Sequence, residues 1–304
     1  MTEILLTIFF ISVLLFFLGS GMWVALSMIG VSAIGMMLFT SRPVGDAMAT
    51  TIWGTSSSWT LTALPLFVWM GEILFRTKLS ENLFKGLSPW MQKLPGGLIH
   101  VNVVGCALFA AISGSSAATV ATVGKMSIPE LRKRNYPEKI LLGSLAGSGT
   151  LGLLIPPSII LIIYGVAVQE SIAKLFIAGI IPGIMIALIF MSYVIIWSLI
   201  NKKSMPKIIE EYSFFEKIKR SKQLLPVIIL ILAVIGSIYT GIATATEAAS
   251  LGVVGALILS YFQKSLTLKT FKSSLLGATK TSCMIAFILA GSTFLSLAMG
   301  FTGL

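Results

Sequence analysis

The supply of charge-poor stretches long enough to cross a bilayer most narrows the folds open to this chain. Ile4–Leu18, Met22–Phe39, Leu61–Phe75, Ile140–Val168, Leu175–Ile200, Leu224–Tyr239, Ala245–Phe262 and Cys283–Met299 are almost wholly apolar. A spanning helix takes about 20 mostly apolar residues. A soluble domain carries roughly a quarter charged residues, whereas this chain of 304 residues is 56% hydrophobic and 11% charged. That much apolar helix cannot be left in water, so the expected class is an all-α polytopic membrane protein. Glu3 precedes the first apolar run with neither Lys nor Arg, and no small-residue cleavage pattern follows. Ile4–Leu18 is therefore expected to be a retained span rather than a cleaved signal.

A net charge of +11 could point to nucleic acid, but its distribution points to a membrane. Twenty of the 22 basic residues fall in four clusters: Arg76–Lys93, Lys125–Lys139, Lys202–Lys222 and Lys264–Lys280. Cytoplasmic loops of membrane proteins collect Lys and Arg. No nucleic-acid partner is expected. Cys106 and Cys283 sit in apolar segments without CxxC spacing and read as buried free thiols.

With all four clusters on the cytoplasmic side, Gly96–Lys125 must begin and end on that side. A single span there would export the five cations of the second cluster. Leu108–Gly124, "LFAAISGSSAATVATVG", is therefore read as a re-entrant hairpin whose turn is Ser113-Gly114-Ser115-Ser116. Non-helical backbone at membrane depth is tolerated where protein or a water-filled cavity surrounds it, and small side chains allow close packing. A Ser/Ala-rich packing seam between two ordinary helices is the other reading of the same residues.

Next to it, Ala146–Ser158, "AGSGTLGLLIPPS", interrupts an apolar segment. Gly147, Gly149 and Gly152 loosen the helix, and Pro156 and Pro157 cannot donate backbone hydrogen bonds. The second half, from about Ser158 to Val168, is expected to present free N–H groups and a positive dipole end to a carboxylate. Released carbonyls with the oxygens of Ser148 and Thr150 suit Na⁺. A broken helix facing a hairpin tip is the layout of a secondary-transporter site, although a proline kink alone would also break the pattern.

The apolar segments also repeat. Ile4–Leu18 parallels Leu224–Tyr239, Met22–Phe39 parallels Ala245–Phe262, a linker helix near Val44–Trp53 parallels Leu266–Ala278, and Leu61–Phe75 parallels Cys283–Met299. By the charge argument the two sets run in opposite senses, as in an inverted-topology repeat. The expected segments are 1–78, first-repeat scaffold helices; 79–95, an amphipathic arm carrying Leu83, Phe84, Leu87, Trp90, Met91 and Leu94 at helical spacing; 96–172, hairpin and broken helix; 173–200, a closing span; 201–223, an amphipathic linker; and 224–304, an incomplete second repeat. In the linker, Ile208, Ile209, Tyr212, Phe215 and Ile218 lie on one face of a basic helix suited to the membrane surface. The second set has no hairpin or break, so about 120 further residues are expected beyond Leu304, in a protein of about 425.

His100, the only histidine, lies at the hairpin's entrance with no Asp or Glu in 96–124 to orient it. A packing role is favoured, and no paired nucleophile and base supports an enzyme. Glu247 in "TATEAAS" is either an intramembrane functional carboxylate or a helix-start residue. Glu72 in "WMGEIL" raises the same question.

The stretches "ALPLFVWMGEIL", "FAAISGSSAATVATVGKMSIPEL", "GTLGLLIPPSIILIIYGV", "IAKLFIAGIIPG" and "GIATATEAASLGV" together resemble the large membrane subunit of tripartite ATP-independent periplasmic (TRAP) transporters. The resemblance covers essentially the whole chain. It implies an elevator-type, Na⁺-coupled importer of small organic acids in a bacterial inner membrane. It also implies a small four-helix membrane partner and a periplasmic substrate-binding protein. The substrate and ion site so implied comprises Ser113, Gly114, Ser115, Ser116, Gly149, Thr150, Gly152, Pro156, Pro157 and Ser158, with Ser113, Ser115, Ser116 and Thr150 as Na⁺ ligands. No cofactor beyond that coupling ion is implied. The rival readings are a Na⁺/anion symporter of similar build that works without a binding protein, and a truncated paralogue that does not transport.

Overall fold

The apolar windows become helices, and local chemistry sets where each one stops. The computed structural model describes residues 3–77, 79–206 and 212–304. In chain order the α-helices are α1 (Glu3–Gly19), α2 (Val24–Phe39), α3 (Val44–Ser56), α4 (Ala63–Phe75), α5 (Leu79–Met91), α6 (Ile99–Ser113), α7 (Ser116–Lys133), α8 (Glu138–Gly149), α9 (Ile159–Val168), α10 (Ile172–Ile200), α11 (Phe214–Ser221), α12 (Leu225–Tyr239), α13 (Ala245–Phe262) and α14 (Leu268–Thr302). No strand occurs among the described residues.

Of these, α10, α13 and α14 are long and apolar enough to cross a membrane singly. α1, α2, α6 and α9 are apolar but shorter. The 17 residues of α1 rise about 25 Å, close to the lower limit for a span. Gly21, at φ +82°, helps to end α1, and Pro43 precedes α3.

One expected pair of elements is a single helix. The linker Leu266–Ala278 and the span Cys283–Met299 merge into α14, which has 35 residues, and Cys283, expected to be buried like Cys106, lies on an exposed face of it. Their first-half counterparts α3 and α4 are separate, with non-helical backbone at Ser57 and Ser58. The difference is local. "GTSSSWT" before α4 is rich in residues that hydrogen-bond their own backbone in non-helical conformations, whereas "ATKTSCM" in α14 has neither Gly nor Pro.

The linker differs too. A helix carrying Tyr212 with Phe215 and Ile218 is not formed, because α11 begins only at Phe214. The Ser213 N–H donates to the Glu216 carboxylate at 3.1 Å, a helix-start contact that fixes the boundary. Ile208 and Ile209 lie outside the described residues.

Two compact units result, Met1–Leu61 with Lys280–Leu304, and Thr62–Thr279. In the first, Leu6, Phe10 and Val31 form a core with Phe17, Leu295 and Met299, and Met36, Phe294 and Ala298 form another with Val44 and Met48. A Cβ on Gly291 would stand 2.9 Å from the Ala25 carbonyl oxygen, so the small residue sets that helix spacing. In the second unit α4 packs along α13, with Gly252 against Met70. α6, α7 and α8 pack together, and Ile99, Ile140 and Val194 join α6, α8 and α10 at one end, with Tyr136 and Trp197.

α10 and α12 are joined by a segment with no crossing-length apolar helix among its described residues. The α7–α8 turn is braced by Arg132–Glu138 at 2.7 Å and Arg134–Glu130 at 3.1 Å. If the basic loops share the side of Ile200, a membrane-impermeant thiol reagent applied from the opposite side will leave Arg134→Cys unmodified in a background lacking Cys106 and Cys283. Modification from that side would exclude the re-entrant path for 96–125.

Candidate functional site

The second unit brings the tip between α6 and α7 onto the break between α8 and α9. α6 ends where Gly114 takes φ +58°, a left-handed conformation that glycine adopts without steric cost. Ser115 then N-caps α7, its hydroxyl accepting the Ala118 N–H at 3.4 Å. The Ser113 and Thr119 hydroxyls lie 3.0 Å apart, and the Thr119 hydroxyl donates to the Ser115 carbonyl at 2.8 Å. The tip is thus stitched by its own side chains. The Ser116 hydroxyl has no hydrogen-bond partner among the described residues and is half-buried.

On the other side, α8 ends at Gly149 and a 3₁₀ turn covers Thr150–Leu153. The chain then passes through Pro156 and Pro157, joined by a cis peptide. Ser158 N-caps α9 without a side-chain cap bond, because its hydroxyl donates instead to the Leu153 carbonyl at 2.6 Å. The break is therefore stitched across itself as well.

The two pieces meet through backbone. The Ile159 N–H donates to the Gly114 carbonyl at 3.2 Å. This first N–H of α9, expected from the sequence to be free for an anion, is taken by the hairpin tip. The N–H groups of Ile160 and Leu161 have no backbone acceptor among the described residues. A Cβ on Gly114 would sit 2.7 Å from the Pro157 carbonyl oxygen. One on Gly152 would sit 2.8 Å from the Ser115 carbonyl carbon and 2.9 Å from the Ser116 nitrogen. Gly149 faces Val120. Glycines on both pieces let the backbones touch.

Ser113, Gly114, Pro156, Pro157, Ser158, Gly149 and Gly152 are buried here, with Ser115 and Ser116 half-exposed beside them. Thr150 stands apart, since its hydroxyl is exposed and donates to the Gly147 carbonyl at 2.7 Å. Ser148 is fully buried, and its hydroxyl has no hydrogen-bond partner among the described residues. Each carbonyl oxygen has two lone pairs, so the Gly114 carbonyl keeps one open beside its bond to Ile159. The Ser115 carbonyl is occupied by the Thr119 N–H and hydroxyl.

Three further glycines frame the seat. A Cβ on Gly71 of α4 would lie 3.0 Å from the Ser113 Cα. On α10, one on Gly179 would lie 2.8 Å from the Leu154 carbonyl oxygen, and one on Gly183 would lie 2.8 Å from Ile155. Gly179 and Gly183 are four apart in "GIIPG", a small-xxx-small spacing that signals close helix approach. Gly71 carries no such signal.

The singled-out polar residues find local explanations. The Glu247 carboxylate accepts the Thr244 N–H at 2.7 Å and its hydroxyl at 2.8 Å, which makes it a capping-box residue. Glu72 pairs with Arg76 at 2.7 Å, one turn away. His100 is fully buried, with Nε2 at 2.7 Å from the Pro95 carbonyl, holding the loop that leads into α6.

Known proteins resemble this chain over most of its length. The sequence profile of the tripartite ATP-independent periplasmic transporter DctM component matches residues 10–304. The C4-dicarboxylate TRAP transporter large permease protein DctM of Pseudomonas aeruginosa is 34% identical over 262 residues, 86% of this chain and 60% of that protein. The sialic acid TRAP transporter large permease protein SiaM of Vibrio cholerae is 33% identical, over 90% of this chain and 64% of that protein. The isethionate TRAP transporter permease protein DctMQ of Oleidesulfovibrio alaskensis is 31% identical, over 91% of this chain and 43% of that protein. The chain thus spans about three fifths of the length of the first of these relatives. A match over residues 10–304, nearly the whole chain, shows that the chain belongs to the DctM component family of tripartite ATP-independent periplasmic transporters.

Proposed function

We propose that this chain is part of the large membrane subunit of a Na⁺-coupled importer of small organic acids, and that the seat between the hairpin tip and the α8–α9 break binds both ion and substrate. The observation that carries the reading is the Gly114–Ile159 backbone bond. It joins the hairpin tip, which carries the Ser116 hydroxyl, to the start of α9, and it leaves the Gly114 carbonyl a second lone pair. Na⁺ takes oxygen ligands, and a carboxylate in lipid is costly, so hydroxyl and carbonyl oxygens are the available donors. The dipole end of α9, with the N–H groups of Ile160 and Leu161, suits an anion. No Arg lies in 96–124 or 146–168, so helix end and cation together provide the positive field.

The relatives named for C4-dicarboxylate, sialic acid and isethionate share an acidic group, which supports an organic anion as substrate. The working unit is a bacterial inner-membrane assembly with a small four-helix membrane subunit and a periplasmic substrate-binding protein. The proposed motion is an elevator, in which hairpin and broken helix travel together against a scaffold, because the backbone bond joins them as one body. The paired segments α1/α12 and α2/α13, read with opposite membrane sense, support an inverted repeat.

The test is Na⁺-driven uptake by the complete gene product with both partners in proteoliposomes. Ser116→Ala raises the Na⁺ concentration for half-maximal uptake roughly 3- to 10-fold, the loss of one modest polar interaction. Thr150→Ala shifts it less, because that side chain is exposed rather than buried with the tip. Ser115→Leu crowds the tip and stops uptake. An unshifted Na⁺ curve in Ser116→Ala would remove the hydroxyl from the ion site.

A further inference from the structure

α11 and the adjoining end of α5 carry a surface that transport leaves unexplained. Phe214 and Phe215 of α11 are 68% and 76% exposed, with Ile218 exposed beside them. At 100° per residue Phe214, Ile218 and Phe215 share one arc, and Lys222 projects from the same arc. Lys219 flanks it on one side. On the other, Lys217 stands with its Nζ 5.4 Å from the Trp90 ring centroid. Arg220 stacks on Tyr212 at 4.3 Å. The only acid in 212–224 is Glu216, and its carboxylate is engaged by the Ser213 N–H.

α11 is held in place by α5. The Trp90 indole N–H donates to the Ser221 hydroxyl at 2.8 Å, and the Trp90 and Phe214 rings meet edge-on with centroids 6.2 Å apart. A Cβ on Gly86 would fall 2.6 Å from Leu224, so the chain after α11 presses closely on α5. The axis of α11 is bent 57° from that of α12. α12 is an apolar helix, and α11 turns away from its line. Four cations in nine residues make burial of α11 in hydrocarbon costly, while two exposed phenylalanines make full exposure to water unfavourable. The interface, where aromatic rings and basic side chains both find partners, satisfies both. Lys202 and Lys203, exposed just past the end of α10, add charge to the same linker.

We propose that α11, clasped to α5 through Trp90, docks on acidic phospholipid headgroups, with Phe214, Phe215 and Ile218 inserted below them and Lys217, Lys219 and Lys222 at phosphate level. A cluster of this size beside a spanning helix is the pattern that binds anionic lipid. Charge selects the occupant. Across 201–224 seven Lys and Arg stand against Glu210, Glu211 and Glu216, and a neutral bilayer would accept the phenylalanines but leave that surplus of positive charge unmatched. This docking rests on the linker alone and holds whatever the seat at Gly114 binds.

The test uses the complete gene product, with Cys106 and Cys283 replaced and an environment-sensitive fluorophore at Phe215→Cys or, in a second protein, at Ser213→Cys. Each is reconstituted in phosphatidylcholine vesicles with and without phosphatidylglycerol. Expected is a blue-shifted emission, quenched by spin-labelled lipid, that depends on phosphatidylglycerol and is reversed by high salt but not by added inorganic phosphate. Each Lys→Gln change among Lys217, Lys219 and Lys222 lowers the lipid-inserted fraction about fivefold relative to the aqueous one. Equal insertion in both vesicles would overturn the proposal. So would an aqueous signal from both labels in both vesicles, or burial that appears only when the partner subunit is added.

Discussion

Gly152→Ala is expected to abolish uptake while leaving the subunit folded in the membrane. The added methyl would stand 2.8–2.9 Å from the Ser115 carbonyl and the Ser116 nitrogen. Those neighbours are backbone, fixed by the Thr119 hydroxyl bond to the Ser115 carbonyl, so no side chain can swing aside. Overpacking of this kind costs roughly 1–3 kcal/mol, or about 5- to 150-fold in occupancy of the docked arrangement. Gly114→Ala meets two penalties, a left-handed φ of +58° and the Pro157 carbonyl at 2.7 Å. Gly143→Ala is the control, since a Cβ there meets nothing within 4 Å. Uptake in proteoliposomes, normalised to reconstituted protein, separates the outcomes. Uptake retained in both Gly152→Ala and Gly114→Ala would show that the tip-to-break contact is not needed for transport.

Phe176→Ala should give the largest loss of stability. The Phe176 ring is 1% exposed and meets Phe67 of α4 edge-on at 5.9 Å. Its carbonyl accepts the Tyr239 hydroxyl of α12 at 3.3 Å, so α4, α10 and α12 converge on this residue. Truncating a buried Phe costs roughly 3–5 kcal/mol in water-soluble cores. Within a bilayer the alternative surroundings are also apolar, so the loss comes from packing and the cavity rather than from hydration. The lower end, about 3 kcal/mol, is expected. For a unit of this size that corresponds to roughly 6–12 °C in Tm, read by thermal unfolding in detergent. Tyr193→Ala, on the same helix but 58% exposed, should change stability by less than about 0.5 kcal/mol. Equal shifts in the two variants would mean that the Phe67–Phe176 contact does not organise the three helices.

Local signals account for much of the helix map. The end of α2 at Phe39 and both ends of α13 fall where apolar runs stop at turn-forming or capping residues. The turn at Gly114 and the break after Gly149 likewise fall where short-range rules favour non-helical backbone, namely a Gly between serines and a Gly-rich run closed by Pro-Pro. Each depends on neighbours within a few residues, and such chemistry is written in order along the chain. The sequence also left open whether Glu247 served function or capping. Its geometry favours capping, because a Thr three residues before Glu at a helix start closes two bonds.

The tertiary structure decided what depends on residues far apart. That α14 runs unbroken could not be read from its parallel with α3 and α4, because similar hydropathy does not carry over the Ser-rich break. That the first N–H of α9 goes to Gly114 depends on two backbones 45 residues apart in sequence coming within bonding distance. Gly71 and Gly179 belong to the seat only because other helices press on them, and a glycine in a sequence does not say which atom comes close. Composition, periodicity and breakers determined that this chain is a bundle of apolar helices with a hairpin turn and an interrupted helix. Close packing determined which carbonyl, hydroxyl and N–H face one another, because each such pairing is fixed by contacts from several helices at once.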